Sequence, residues 1–183
     1  MKQETAYKTD YQKEIRDFLE KIVVNAGIGR LSQQPNFEEK ILPQVSRDMA
    51  LLSGQKPQVR RARKSIAGFK LRQGQIVGLR ATLRGRKMVD FFERLIKIVL
   101  PRVRDFRGLD SKAVDAGGAF NISFKEQFVF PEIEPEESLF IFSLGINIVP
   151  QKKNREAAIE TYRRLGVPLK GFAQKSDSPA GEE

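Results

Sequence analysis

Between residues 75 and 100 the spacing of apolar residues changes abruptly. Up to position 84 apolar and more polar residues alternate, which predicts a strand with two unlike faces. Beyond Gly85 the apolar residues recur every three or four positions, which predicts an amphipathic helix over 86–100 that Pro101 ends. The apolar stripe of this helix consists of Met88, Phe91, Phe92, Leu95, Ile96 and Val99. A one-sided strand followed by a one-sided helix predicts a layered fold in which helices cover one face of a sheet.

The rest of the chain supplies more elements of both kinds. The patterns predict strands over 21–29, 58–63, 119–124 and 138–149, and helices over 8–20, 37–52 and 153–165. Thr9 or Asp10 is the expected N-cap of the first helix, and Pro43 should mark the start of the second or a kink in it. In the last helix we expect four inward residues, Ala157, Ala158, Tyr162 and Leu165.

These elements predict one α+β domain over residues 1–173, a mostly antiparallel sheet backed by helices on one face, with long functional loops. The tail, 174–183, is rich in Ser, Pro, Gly and acidic residues, and we expect it to be disordered. Within strand 75–84, alternation predicts that Val77, Leu79, Ala81 and Leu83 pack on the helices. The opposite face would then carry Ile76, Gly78, Arg80, Thr82 and Arg84, a polar and basic platform suited to RNA.

The composition excludes most hydrolase chemistry. The chain contains no histidine and no cysteine, so disulfides, thiolate or imidazole zinc sites and Ser-His or Cys-His catalysis are ruled out. Gly27 and Gly29 form only half of a dinucleotide fingerprint. We therefore expect no catalytic residue, no metal and no cofactor. The chain also has no apolar run of the roughly 18 residues that span a membrane, and no signal-peptide pattern, so we expect a cytoplasmic protein.

The positive charge is concentrated in one part of the chain. Residues 56–107 carry sixteen basic and three acidic side chains, whereas the whole chain has a net charge of +10. Such a polarised distribution is typical of a surface that binds a polyanion, although a merely solvated basic surface is the alternative. Within this segment, residues 60–72 mix arginine and lysine with small residues and one aromatic residue, Phe69, which favours RNA without saying which RNA.

Several motifs together resemble a known family. They are LSGQKP at 52–57, ARKSIAGFKLRQG at 62–74, TLRG at 82–85, FFERL at 91–95, PRVRDFRGL at 101–109 and EQFVFPEI at 126–133, with KIVVNAG at 21–27. Their order and spacing, from about residue 21 to 165, are similar to those of the bacterial large-subunit ribosomal protein family that binds 5S rRNA, the uL5 family. The resemblance implies an antiparallel sheet backed by helices, located in the central protuberance of the large ribosomal subunit.

The resemblance also implies roles for individual residues. Those expected to bind 5S rRNA are Asn25, Gln55, Lys56, Phe69, Thr82 and Arg84. Amide and hydroxyl groups both donate and accept hydrogen bonds, so they suit base edges and 2′-hydroxyls. The loop expected to contact phosphates of the P-site tRNA or rRNA carries Arg63, Lys64, Ser65, Gly68, Lys70 and Arg72.

Further partners are implied in the same way. They are 23S rRNA, neighbouring proteins of the central protuberance, and a protein of the small-subunit head across an intersubunit bridge. The loop at 105–118 and the acidic loop at 132–137 would lie toward that head. By its residues alone, the acidic loop is more simply a solvated surface.

Two other functions remain open at the level of sequence. An RNA-modifying or RNA-cleaving enzyme would need a lysine or carboxylate as its catalytic group, and no motif places such a pair together. A polybasic membrane-surface module would need a basic amphipathic helix with a free apolar face, which the sequence lacks.

Overall fold

The computed structural model of this chain describes residues 2–104 and 106–170, with side chains described from Asp10 onward. The tail predicted to be disordered, 174–183, lies outside the described residues.

The described residues form a five-stranded antiparallel sheet. Its strands are β1 (Leu19–Gly27), β2 (Gln58–Arg61), β3 (Ile76–Leu83), β4 (Phe120–Phe124) and β5 (Leu144–Pro150). Their order across the sheet is β2-β3-β1-β5-β4, and every neighbouring pair is antiparallel. β1 therefore lies at the centre, and β2 and β4 are the edges.

Helices pack on one face of this sheet. They are α1 (Lys2–Phe18), α2 (Leu42–Ser53), α3 (Gly85–Arg94), α4 (Leu100–Arg102) and α5 (Arg155–Arg164). Shorter 3-10 turns lie at Leu31–Gln33, Ala67–Phe69, Ser111–Ala113 and Gln127–Val129. α1 contacts α3 and both contact β1, while α2 contacts β3. The predicted α+β class is thus confirmed.

The predicted amphipathic stripe forms the centre of the core. All six of its residues are buried, and Phe91 also stacks on Phe130, with ring centroids 6.1 Å apart. On the other side of the core, Tyr162 of α5 lies edge-on to Phe18 and tilted against Phe120 of β4. The prediction for α5 was wrong at Ala157, which is exposed. Ala157 lies in the first turn of α5, where its amide donates to the side chain of the N-cap, Asn154.

Two prolines lie inside continuous helical segments. A five-residue π-helical turn precedes α2 at Phe37–Ile41, and another joins α3 to α4 at Leu95–Val99. Pro43 and Pro101 follow these turns in the first positions of α2 and α4. In an α-helix a proline ring clashes with the carbonyl group four residues earlier. In the wider π-helical turn the backbone hydrogen bonds join residues that are five positions apart. Pro101 therefore does not end the helix at Leu100 as predicted, and α2 begins at Leu42.

A β-bulge corrects the predicted faces of β3. Arg60 pairs with Gly78, but Arg61 pairs with Ile76, so Val77 is skipped in the pairing with β2. Because one extra residue reverses the alternation, Ile76 is buried in the core and Val77 is only half-buried. Leu79, Ala81 and Leu83 are buried as predicted.

The ends of several predicted elements also differ. α1 begins at Lys2, so neither Thr9 nor Asp10 is its N-cap, and the chain passes from Phe18 directly into β1. β1 ends at Gly27 and β2 at Arg61, each two residues before the predicted end. β5 begins only at Leu144, because side chains hold 138–143 away from the sheet ladder.

Three buried polar side chains fix that segment. Gln127 donates to the carbonyl of Phe140 (2.9 Å) and accepts from the amide of Phe142 (3.0 Å). Ser138 donates to Asp48 of α2 at 2.6 Å. The two Gln127 bonds satisfy backbone groups that a strand would otherwise pair, and the Ser138 bond holds the start of the segment against α2.

Candidate nucleic-acid interface

The face of the sheet opposite the helices is polar. Strand alternation places Lys21, Val23, Asn25, Arg80, Thr82, Asn121, Ser123 and Asn147 on it, and all of these are half-buried or exposed. We call these side chains the open face. Two of the residues predicted to bind 5S rRNA, Asn25 and Thr82, lie on it.

Three asparagines join across the open face. Asn25 of β1 donates through Nδ2 to Oδ1 of Asn147 of β5, at 2.6 Å. Asn147 donates in turn to Oδ1 of Asn121 of β4. We call this row the asparagine ladder. Asn121 and Asn147 were not among the predicted site residues. Strand alternation indicates the face on which each of them lies, but not that their side chains meet.

The other predicted 5S rRNA residues form two groups at opposite ends of β3, which spans about 23 Å at roughly 3.3 Å per residue. At the C-terminal end, Gln55 donates through Nε2 to the carbonyl of Thr82 at 2.9 Å. Lys56 and Arg84, which lie next to Gln55 and close to Thr82 in the sequence, are exposed. Arg80 Nε donates to the hydroxyl of Thr82 at 3.3 Å. Phe69 belongs to the group at the other end.

The basic segment at that other end is an ordered protrusion. The amide of Ala62 donates to the carbonyl of Gln75 (2.8 Å), and the amide of Gly74 donates back to the carbonyl of Ala62 (2.9 Å). Further out, Ile66 and Leu71 exchange two backbone hydrogen bonds, of 2.9 and 3.1 Å. We call residues 62–75 the basic loop. Phe69 at its tip is 75% exposed, as expected for an aromatic residue available for stacking.

The predicted phosphate contacts are all exposed on the basic loop. They are Arg63, Lys64, Ser65, Gly68, Lys70 and Arg72. Among the described residues, none of its four charged members forms an ion pair with a carboxylate. Ser65 differs from the others, because its hydroxyl oxygen already accepts a hydrogen bond from the amide of Gln73 at 2.9 Å.

A cleft lies between the basic loop and the edge of the sheet at which β1 ends. Its walls include Phe69 from the loop, Gly27 at the end of β1, Val77 at the bulge and Ser143 before β5. The reversed alternation at Ile76 is what turns Val77 toward Phe69. Gln33 Nε2 also donates to the carbonyl of Phe69, at 3.4 Å.

Comparison with known proteins gives the family. The model described as ribosomal protein L5 matches residues 12–72, and the model for the C-terminus of the same ribosomal family matches residues 76–169. The chain belongs to the ribosomal protein L5 family. The predicted family is thereby confirmed, and so is the location in the ribosome. Members of this family are structural constituents of the ribosome.

Curated relatives of this family cover most of the chain. The large ribosomal subunit protein uL5 of Rubrobacter xylanophilus is 47% identical over 152 residues, which are 83% of this chain and 82% of the relative. The protein of the same name from Syntrophomonas wolfei is 45% identical, over 83% of each chain, and that of Chlorobaculum tepidum is 43% identical, over 83% of this chain and 81% of the relative. Within the described residues, no helix is long and apolar enough to cross a membrane.

Proposed function

We propose that this ribosomal L5 family chain binds 5S rRNA in the large ribosomal subunit through its open face and its basic loop. The observation that carries the proposal is the cleft in which the tip of the basic loop lies beside Gly27, two residues beyond Asn25 on the same face of β1. The cations of the loop have no carboxylate partners among the described residues. Cations neutralise phosphates of any sequence, whereas amides and hydroxyls distinguish base edges and 2′-hydroxyls.

The two groups at the ends of β3 contact different parts of the RNA in this proposal. Asn25, Gln55, Thr82 and the neighbouring Lys56 and Arg84 bind 5S rRNA. Phe69, at the exposed tip of the basic loop, stacks on an unpaired base of 5S rRNA, and the surrounding cations contact phosphates of rRNA, including 5S rRNA, or of the P-site tRNA. A separation of about 23 Å, the length of β3, lets one small protein touch two RNA segments.

We propose a protein partner for the acidic loop at 132–137. Glu132 pairs with Arg94 at 2.5 Å and Glu137 pairs with Arg47, so both ends of the loop are anchored to helices. Glu134 and Glu136 between them are exposed, and they suit a basic protein of the small-subunit head. Neighbouring central-protuberance proteins would contact other surfaces. Exposed ion pairs are individually weak, about 0–1 kcal/mol, so such a bridge breaks and re-forms readily.

Filter binding tests the central proposal. The full chain should bind 5S rRNA much more tightly than an unrelated structured RNA of similar length, at the same salt concentration. Gln55→Ala and Thr82→Ala should each weaken this binding by about 1–3 kcal/mol, the usual range for a lost specific polar contact. Equal affinity for both RNAs would contradict the proposal.

A further inference from the structure

The asparagine ladder runs in one direction across the open face. An asparagine side chain can be turned so that its nitrogen and oxygen exchange places, and the hydrogen-bond network decides between the two orientations. At the β4 end, Asn121 Nδ2 lies 3.5 Å from the carbonyl oxygens of Ala113 and Ala119. A carbonyl oxygen only accepts hydrogen bonds, so these contacts favour the orientation in which the nitrogen of Asn121 points toward these two residues.

This backbone anchor fixes the other two amides. With its nitrogen turned to the carbonyls, Asn121 presents Oδ1 to Asn147, which must then donate through its own Nδ2. Asn147 consequently presents Oδ1 to Asn25, and Asn25 donates through Nδ2 at 2.6 Å. The orientation of Asn25 on the central strand is thus set by two residues on other strands.

At the other end of the ladder the Asn25 side-chain oxygen is available. None of the hydrogen bonds among the described residues reaches Asn25 Oδ1. Its partner on β3 is Arg80, whose Nε is directed to Thr82 instead. Its partner on β5 is Gly145, which has no side chain to fill the neighbouring space.

We propose that Asn147 is a positioning residue for RNA binding, which orients Asn25 so that its Oδ1 accepts a hydrogen bond from an RNA donor. The donor class is a 2′-hydroxyl or an exocyclic amino group, the donors that RNA offers to such a carbonyl. The inference rests on the proposed binding of 5S rRNA to the open face. Asn121 contributes indirectly, because it orients Asn147.

A double-mutant cycle on 5S rRNA binding tests this role. Asn147→Leu removes both ladder bonds at similar side-chain volume, and it should weaken binding by roughly three- to tenfold, the effect of one lost hydrogen bond. In an Asn25→Ala background the same substitution should change the affinity less than about twofold, because Asn147 acts through Asn25. Similar weakening in both backgrounds, or wild-type affinity of Asn147→Leu, would overturn the inference.

Measurements on the RNA-free protein test independently in which direction the hydrogen bonds of the asparagine ladder run. In nitrogen-15 spectra, the side-chain amide signals of Asn147 should shift strongly in Asn121→Leu but little in Asn25→Ala, because Asn147 donates toward β4. The reverse pattern would refute the direction. Asn121 is exposed on an edge strand, so Asn121→Leu keeps the test available if Asn147→Leu fails to fold.

Failure of the wider proposal has a different signature. If wild-type protein shows no preference for 5S rRNA, the proposed function fails and the RNA role of Asn147 fails with it. If wild-type protein binds and only the cycle gives the wrong answer, the inference alone is overturned.

Discussion

Phenylalanine serves two purposes in this chain, and single residues show the contrast. Phe91 is 1% exposed within the amphipathic stripe, whereas Phe69 is 75% exposed at the tip of the basic loop. An exposed aromatic side chain stabilises the isolated fold little, and Phe69 is therefore accessible for the stacking proposed above.

Replacement of Phe69 should therefore separate binding from folding. We expect Phe69→Ala to leave the urea midpoint nearly unchanged and to weaken RNA binding by about 1–3 kcal/mol, the range for a lost base–aromatic stack. Phe91→Ala is the matched control, and it should cost about 3–5 kcal/mol of unfolding free energy because it leaves a cavity in the core. A large loss of stability in Phe69→Ala would refute the assignment of Phe69 to binding.

At the scale of elements, one side chain connects α5 to the sheet. The hydroxyl of Tyr162 donates to the carbonyls of Gly118 (3.1 Å) and Ile148 (3.3 Å), which precede β4 and lie in β5. Burial raises the pKa of Tyr162 well above its ordinary value of 10.0, and the carboxylate of Asp115 raises it further. The folded protein therefore keeps this hydroxyl protonated at a pH where the unfolded chain ionises it.

This difference predicts a loss of stability in alkali. Below about pH 10 the tyrosine is protonated in both states; above it the unfolded chain alone releases the proton, so the free energy of unfolding falls as pH rises. Near pH 7, Tyr162→Phe should cost about 1–2 kcal/mol through its lost hydrogen bonds. Urea unfolding from about pH 7 to 11 should show this deficit shrinking above about pH 10, since the variant has no hydroxyl to ionise. A constant difference would contradict the prediction.

Across the whole molecule, positive charge is concentrated in the segment that contains the basic loop. This segment, 56–107, carries sixteen basic and three acidic residues, and the tip of the basic loop shares a cleft with Gly27 at the end of β1 and Val77 of β3. Because bound phosphates release counterions, RNA affinity should fall steeply with salt, by roughly 0.7–0.9 log units per contacted phosphate for each tenfold increase.

The salt dependence should localise the phosphate contacts. Lys64→Ala combined with Lys70→Ala should make the salt dependence of 5S rRNA binding less steep, by up to about two phosphate contacts. Lys13→Ala on the exposed side of α1 removes a cation from the helical layer, and it should leave the slope unchanged. If Lys13→Ala flattens the slope as much per cation removed as the double variant does, the interaction depends on net charge alone and the basic loop has no special part in it.

The sequence by itself determined the kind of each main element and the place of the charge. Local spacing shows which side of a helix is apolar, so the stripe from Met88 to Val99 was predicted residue by residue. The basic residues around Phe69 also indicated an aromatic side chain available to RNA, and Phe69 is exposed.

Only the tertiary structure decided what depends on strands that are distant in the sequence. Asn25 and Asn147 are 122 positions apart, and their contact follows from the register of β1 and β5. The bulge that reverses Ile76 and Val77 arises from pairing with β2, and residues 138–143 are held by Gln127 and Asp48 rather than by their own alternation. Alternation of polar and apolar residues in the sequence shows that a strand has two different faces. The pairing of strands decides which residues meet on each face.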